Sequence, residues 1–159
     1  MAEENNNISL STKKTFTIDG DLTRTIQLDI SDMNILVRLE EVYPEIQRLA
    51  VEAQESLAMS KDKQEEGKDD SSLSNLSELL KSIDSKMREK LNYIFASDVA
   101  DACEPTGNMY DPVNGEFRFE HIIDVLTTLY ANNLKGEFKK MQDRVKKHTA
   151  KYTNGRRKK

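Results

Sequence analysis

Apolar residues recur three and four positions apart along three long stretches of this chain, and no other feature limits its fold so sharply. The first stretch holds Ile35, Leu39, Val42, Ile46, Leu49, Ala53 and Leu57; the second holds Leu76, Leu80, Ile83, Met87, Leu91 and Ile94, closed by Phe95. In the third, Phe119, Ile122, Ile123, Leu126, Leu129, Tyr130, Leu134, Phe138, Met141 and Val145 mark one side of a segment from about Phe119 to about Tyr152. Steps of three and four place each set on one face of an α-helix, so each stretch predicts an amphipathic helix whose narrow stripe must be covered by something. Ser31 or Asp32 is the expected cap of the first helix, and Ser74 or Asn75 opens the second. Pro44 lies inside the first pattern and predicts a kink or a split there, because it lacks an N–H and crowds the previous turn. Gly136 weakens the third helix in its middle.

Ahead of the helices the period changes to two. Lys14 to Ile18 alternates polar and apolar, and Thr23 to Ile30 does the same with Ile26, Leu28 and Ile30 on one face. Asp19-Gly20-Asp21 between them is a turn signal, which predicts a β-hairpin. Two strands alone are barely stable in water, so the apolar face of the hairpin should pack on a helix. Between the second and third helices, residues 97–116 carry Pro105, Gly107, Pro112 and Asn114-Gly115 and read as irregular, with a possible short ribbon between Met109 and Phe119. The expected fold is mainly α, three amphipathic helices with an N-terminal β-hairpin, a small α+β domain.

The expected organisation is a flexible N-terminus over 1–13, a single helical domain over 14–152 and a basic disordered tail over 153–159. A charged stretch over 60–74, almost without apolar residues, interrupts the domain as a linker, or else extends a helix broken only at Gly67. The composition, 36% apolar and 33% charged with no Trp, is too lean for a large enzyme core and suits elongated helices with polar faces. Residues 135–159 hold eleven Lys/Arg against Glu137 and Asp143, a net of +9, while residues 1–134 hold 13 positive and 26 negative charges, a net of −13. The basic end is a solvated helix terminus that suits the helix dipole, or a surface for an acidic partner. Nothing but charge argues for nucleic acid, since no aromatic interleaving, zinc spacing or glycine clamp accompanies it. No run approaches the ~20 apolar residues of a membrane span, and the start Met1-Ala2-Glu3-Glu4 has no apolar leader core. With one cysteine there is no internal disulfide, and the cytosol of whichever cell makes the chain is the expected location.

Chemistry-bearing residues are scarce. His121 and His148 stand about seven turns apart on one helix, too far for one metal or one catalytic pair. Cys103 has Asp101 and Glu104 for neighbours, which disfavour a thiolate. Asp98, Asp101, Glu104, Asp111 and Glu116 offer oxygen ligands in one region. With Gly115 set at the sixth position of a calcium loop, however, the first and twelfth become Tyr110 and His121, where carboxylates are required. The six glycines form no phosphate-binding or nucleophile-elbow pattern. The reading is a non-enzymatic protein with no catalytic residue, no cofactor and no metal.

The stretch from Phe16 to Leu39 resembles the opening of a family of small tail proteins encoded in the tail modules of phages and prophages of Gram-positive bacteria. There a short strand leads through a Gly-Asp turn to an Arg-bearing strand, then to an Asp-x-Asn-capped helix with an Arg and a following apolar residue. The matching positions here are Gly20, Asp21, Arg24, Asp32, Asn34, Arg38 and Leu39. The second half is similar too, with a helix ending Tyr93-Ile94-Phe95, an irregular loop, an apolar helix and a Lys-rich end. It departs in the loop: the family's Phe-Gly turn and glycine-rich segment are replaced by Phe95-Ala96-Ser97-Asp98 and Cys103-Glu104-Pro105. The resemblance implies a phage tail morphogenesis protein, a chaperone-like assembly factor that holds the tape-measure protein or tail tube subunits. Alternatives are a structural tail subunit retained in the virion and a basic-tailed nucleic-acid-binding regulator. The expected contacts are Leu39, Ile46, Ile123 and Leu126 on the apolar side and Lys146, Lys147, Arg156 and Arg157 on the basic side, with a homo-oligomer as a further expectation.

Overall fold

A computed structural model gives the fold and describes residues 6–64 and 70–157, with side chains over 6–60 and 72–147. Strands β1 (Lys14–Ile18) and β2 (Asp21–Leu28) form an antiparallel hairpin. Asp19 and Gly20 turn it with φ of 52° and 71°, and two positive φ values in a two-residue loop match the right-handed twist of the flanking strands. Lys14 faces Leu28 and Thr17 faces Thr25; the register then jumps so that Ile18 faces Asp21, which pushes Leu22 to Arg24 out of regular pairing. The second strand begins two residues before the alternation suggests, because Asp21 accepts hydrogen bonds from the Thr23 amide (2.9 Å) and hydroxyl (2.7 Å) and stiffens the turn. Ile26, Leu28 and Ile30 are buried, as their shared face requires.

Asp32 makes a turn just ahead of the first helix, its Oδ1 accepting the Asn34 amide at 2.9 Å, but the cap itself is Asn34, whose carbonyl takes the first helical bond from the Arg38 amide at 3.0 Å. Helix α1 runs Ile35–Gln64 through Pro44 without splitting. Pro44 faces solvent, so the Glu40 carbonyl it leaves unbonded lies on the wet side of the helix, where water can satisfy it. Helix α2 spans Asp70–Phe95 and starts earlier than the Ser74 or Asn75 signal. Residues 60–64 and 70–74, expected in a linker, are therefore helical: Lys61, Lys63 and Gln64 are good helix formers, and the lack of apolar residues removes a stripe without removing propensity. The rest of that linker, 65–69, lies outside the described residues.

The two helices are antiparallel. Contacts climb one and descend the other: Arg38 Nε donates to the Ile94 carbonyl (2.8 Å), the Tyr93 hydroxyl to Glu41 (2.8 Å), and Lys90 pairs with Glu45 (2.9 Å). After α2 come a single turn, α3 (Ala100–Cys103), and a ribbon of β3 (Pro112–Val113) and β4 (Glu116–Phe117) turned at Asn114-Gly115 with φ of 52° and 85°. Helix α4 spans Arg118–Arg157. The disordered tail expected from 153 is helical to Arg157, where positive charge suits a helix C-terminus; 158 and 159 lie outside the described residues.

Along α4, Phe119 meets Tyr43 (ring centroids 5.9 Å apart), Tyr130 meets Phe95 (6.0 Å), and Asn133 Nδ2 donates to the Ile30 carbonyl at 3.1 Å. Helix α4 therefore runs antiparallel to α1 and leaves the body beyond the start of that helix. One core cluster joins the hairpin, α1, α2, the loop and α4 as far as Tyr130. From Lys135 to Lys147 every side chain is exposed. The remainder of α4 is an arm about 33 Å long.

Candidate interaction surface

The acidic loop is held by its own carboxylates together with Arg88, Asp84 and Asn92 of α2. Arg88 lies at the centre: its Nε pairs with Asp84 (2.8 Å), Nη1 with Asp101 (2.9 Å), and Nη2 donates to the Gly107 carbonyl (2.6 Å). The other oxygen of Asp84 accepts the Met109 amide at 2.7 Å. Asn92 Oδ1 takes the amides of Val99 and Ala100, both at 2.9 Å, and so serves the open start of α3. Buried Glu104 accepts the Gly107 amide (2.8 Å) and forms an ion pair with Arg118 (3.0 Å) in which the Arg118 N–H is not aimed along the contact. Asp111 accepts the Asn108 amide at 2.9 Å. A Cβ on Gly107 would come within 2.9 Å of the Asp111 carboxylate and 3.0 Å of that of Glu104, so only glycine lets both reach the backbone. Among the described residues no group of three or more His, Cys, Asp or Glu is placed to hold a metal ion.

Residues of the hairpin and of the start of α1 hold the fold in the same way. Arg24, pushed out of regular pairing at the hairpin irregularity, donates to the Ala102 (2.8 Å) and Cys103 (3.1 Å) carbonyls and closes the C-terminus of α3. Arg38 ties Asp32 (2.7 Å) to the Ile94 carbonyl at the end of α2. That charge-assisted bond from Arg38 holds the Asp32 carboxyl below its ordinary pKa. Gly20 sits in the turn, Asp21 opens β2 and accepts the Thr23 amide, and Leu39 packs on the core.

Cys103 is not set up as a nucleophile. Burial first, with help from Asp19 and Glu104 and against Arg24, pushes its thiol up to about 11. Among the effects on it, desolvation outweighs the acidic neighbours evident in the sequence. His121 is exposed, with Nδ1 3.4 Å from Glu116, and the side chain of His148 lies outside the described residues.

The expected partner contacts divide by location. Ile46, Ile123 and Leu126 are buried and Leu39 is half-buried against them, so the face proposed for a partner is turned inward and covered by the chain itself. Lys146 and Lys147 are exposed on the arm. Arg156 and Arg157 lie in the last turn of α4, and their side chains are outside the described residues.

Two exposed apolar rows lie elsewhere. On the arm, half-buried Leu134 is followed by Phe138 at 46% exposure and Met141 at 59%. On the outer side of α1, Val37, Pro44, Val51 and Ala58 recur every seven residues, all exposed, beside Glu40, Glu41, Glu45 and Glu55. Part of this row lines a shallow groove of about 590 Å³, formed with Gln47, Arg48, Glu52, Glu55 and Phe117. The outer row is thinner than the dense stripe on the opposite side of α1, so periodicity alone does not single it out. The sequence signal for the arm is length: the third apolar stripe runs on past anything the first two helices can cover.

Among the described residues, no helix is long and apolar enough to cross a membrane. Comparison with protein-family models, with curated proteins and with solved structures finds no match to this chain.

Proposed function

We propose that this protein is a non-enzymatic phage tail morphogenesis factor of the tail assembly chaperone kind, holding tape-measure or tube polypeptide. The observation that carries the reading is the arm of α4, which presents Phe138 and Met141 to solvent between Lys135, Lys139, Lys140, Arg144, Lys146 and Lys147. An apolar row at helical spacing with cationic flanks suits a helical, acidic client, which it can grip along i, i+3 and i+4 positions. Long-range attraction would raise the encounter rate, and salt would weaken it. The resemblance of the Phe16–Leu39 segment to small phage tail proteins supplies the biological setting. The polar side chains of the loop, hairpin turn and helix caps are already engaged in holding backbone, which favours action by contact over chemistry.

Co-expression of the full chain with a long coiled-coil tape-measure protein tests this. The client should stay soluble and co-purify, and Phe138→Glu with Met141→Glu should abolish both effects while leaving the helix content unchanged. A client equally soluble with the double variant removes the arm from the reading. Mass spectrometry of purified particles should find the chain absent, and its presence at tube stoichiometry would make it a structural subunit instead.

A further inference from the structure

We infer that the arm of one copy docks along the outer face of α1 in a second copy. This goes beyond the assembly reading and does not depend on it. The arm is net +9 over residues 135–159 and the remainder of the chain is net −13, so the two surfaces attract between copies. Helix α4 is continuous and leaves the body beyond the start of α1, so the arm cannot fold back onto its own α1.

The dimensions and spacing agree as well. From Val37 to Ala58 the outer row is about 31 Å long, against about 33 Å for the arm. Leu134, Phe138 and Met141 follow the four-three spacing of a coiled-coil seam, and Val37, Pro44, Val51 and Ala58 supply one residue per heptad to face them. Phe138 and Met141 would enter the groove beside Val51 and Phe117, where Glu52, paired with Arg48 at 3.5 Å, and Glu55 leave the lining with an excess negative charge for the cations of the arm. Pairing arm against arm in parallel would instead bring two +9 surfaces together. Reciprocal docking closes a dimer and one-way docking grows a chain.

The test uses the purified full chain with no client and a Cys103→Ser background. One batch carries Val51→Cys and another Met141→Cys. Oxidation of the mixture should give mainly the disulfide between the two variants, with little product from either alone. Light scattering on the unmodified chain should show mass rising with concentration, and association about tenfold weaker between roughly 0.05 and 0.5 M salt. Phe138→Glu should return a monomer with unchanged circular dichroism. A monomer at every concentration, salt-insensitive association, or Met141→Cys linking mainly to itself would each overturn the docking. Such a result leaves client binding by the arm untouched, and loss of client binding with docking intact would separate the two ideas the other way.

Discussion

The two halves of α4 share one helix and one spacing rule, yet they live in different surroundings. From Phe119 to Tyr130 the stripe meets Tyr43 and Phe95 and is buried; from Lys135 onward the described side chains lie in water. A periodic stripe therefore reports a helix with a face to cover, and leaves open whether the chain supplies the cover. Helices α1 and α2 supply it until α4 passes the start of α1 at Asn133 and Ile30. Beyond that point the stripe stays exposed along the described part of the arm, and the charge changes sign at the same place.

The sharpest way to break this contrast is the same substitution on each side of it. Leu126→Asp places a carboxylate at a site 3% exposed and should destabilise the fold by about 4 kcal/mol or more in urea titration. Phe138→Asp, in samples dilute enough that copies are apart, should change stability by less than about 0.5 kcal/mol, because within one copy no core closes over it. An equal cost at both sites would mean that the arm packs on the body.

Within the body, Arg88→Ala comes next. It strands Asp84 in a half-buried position and frees the Gly107 carbonyl, which should cost about 3 kcal/mol. Faster hydrogen exchange at the Gly107 and Met109 amides, with the α4 arm unchanged, would place the loss in the loop. Ala96→Gly should act in the opposite direction. Ala96 has φ of 50° at the end of α2, where the Ser97 amide reaches the Asn92 carbonyl (3.2 Å) and its own amide the Tyr93 carbonyl (3.3 Å). A left-handed alanine is strained, so glycine should raise stability by about 1 kcal/mol.

The most local expected effect is on the arm. Gly136 sits mid-helix, and a Cβ added there would meet nothing within 4 Å, so Gly136→Ala fits without a clash. It should favour the local helix by about 1 kcal/mol, seen as slower amide exchange in the arm with no change in the unfolding midpoint of the body. A shifted midpoint would show that the two halves of α4 melt together.

The hairpin, the three long helices and the face of each that meets the core are legible from period and turn chemistry, because alternation and the three-four step are local properties of the chain. So are the Asp19-Gly20 and Asn114-Gly115 turns, since positive φ selects for those residue types. In sequence the acidic loop is a cluster of possible ligands, and only the folded backbone shows Glu104 and Asp111 accepting the Gly107 and Asn108 amides while Asp84 of α2 accepts that of Met109. Ile46, Ile123 and Leu126 stand equal to Phe138 and Met141 in the periodic pattern. Their difference is where the neighbouring helices end, a non-local quantity that no window of sequence contains. Sequence thus determined which surfaces are apolar and which way the charge runs; tertiary packing decided which of those surfaces remain in water, because burial depends on segments far apart in the chain.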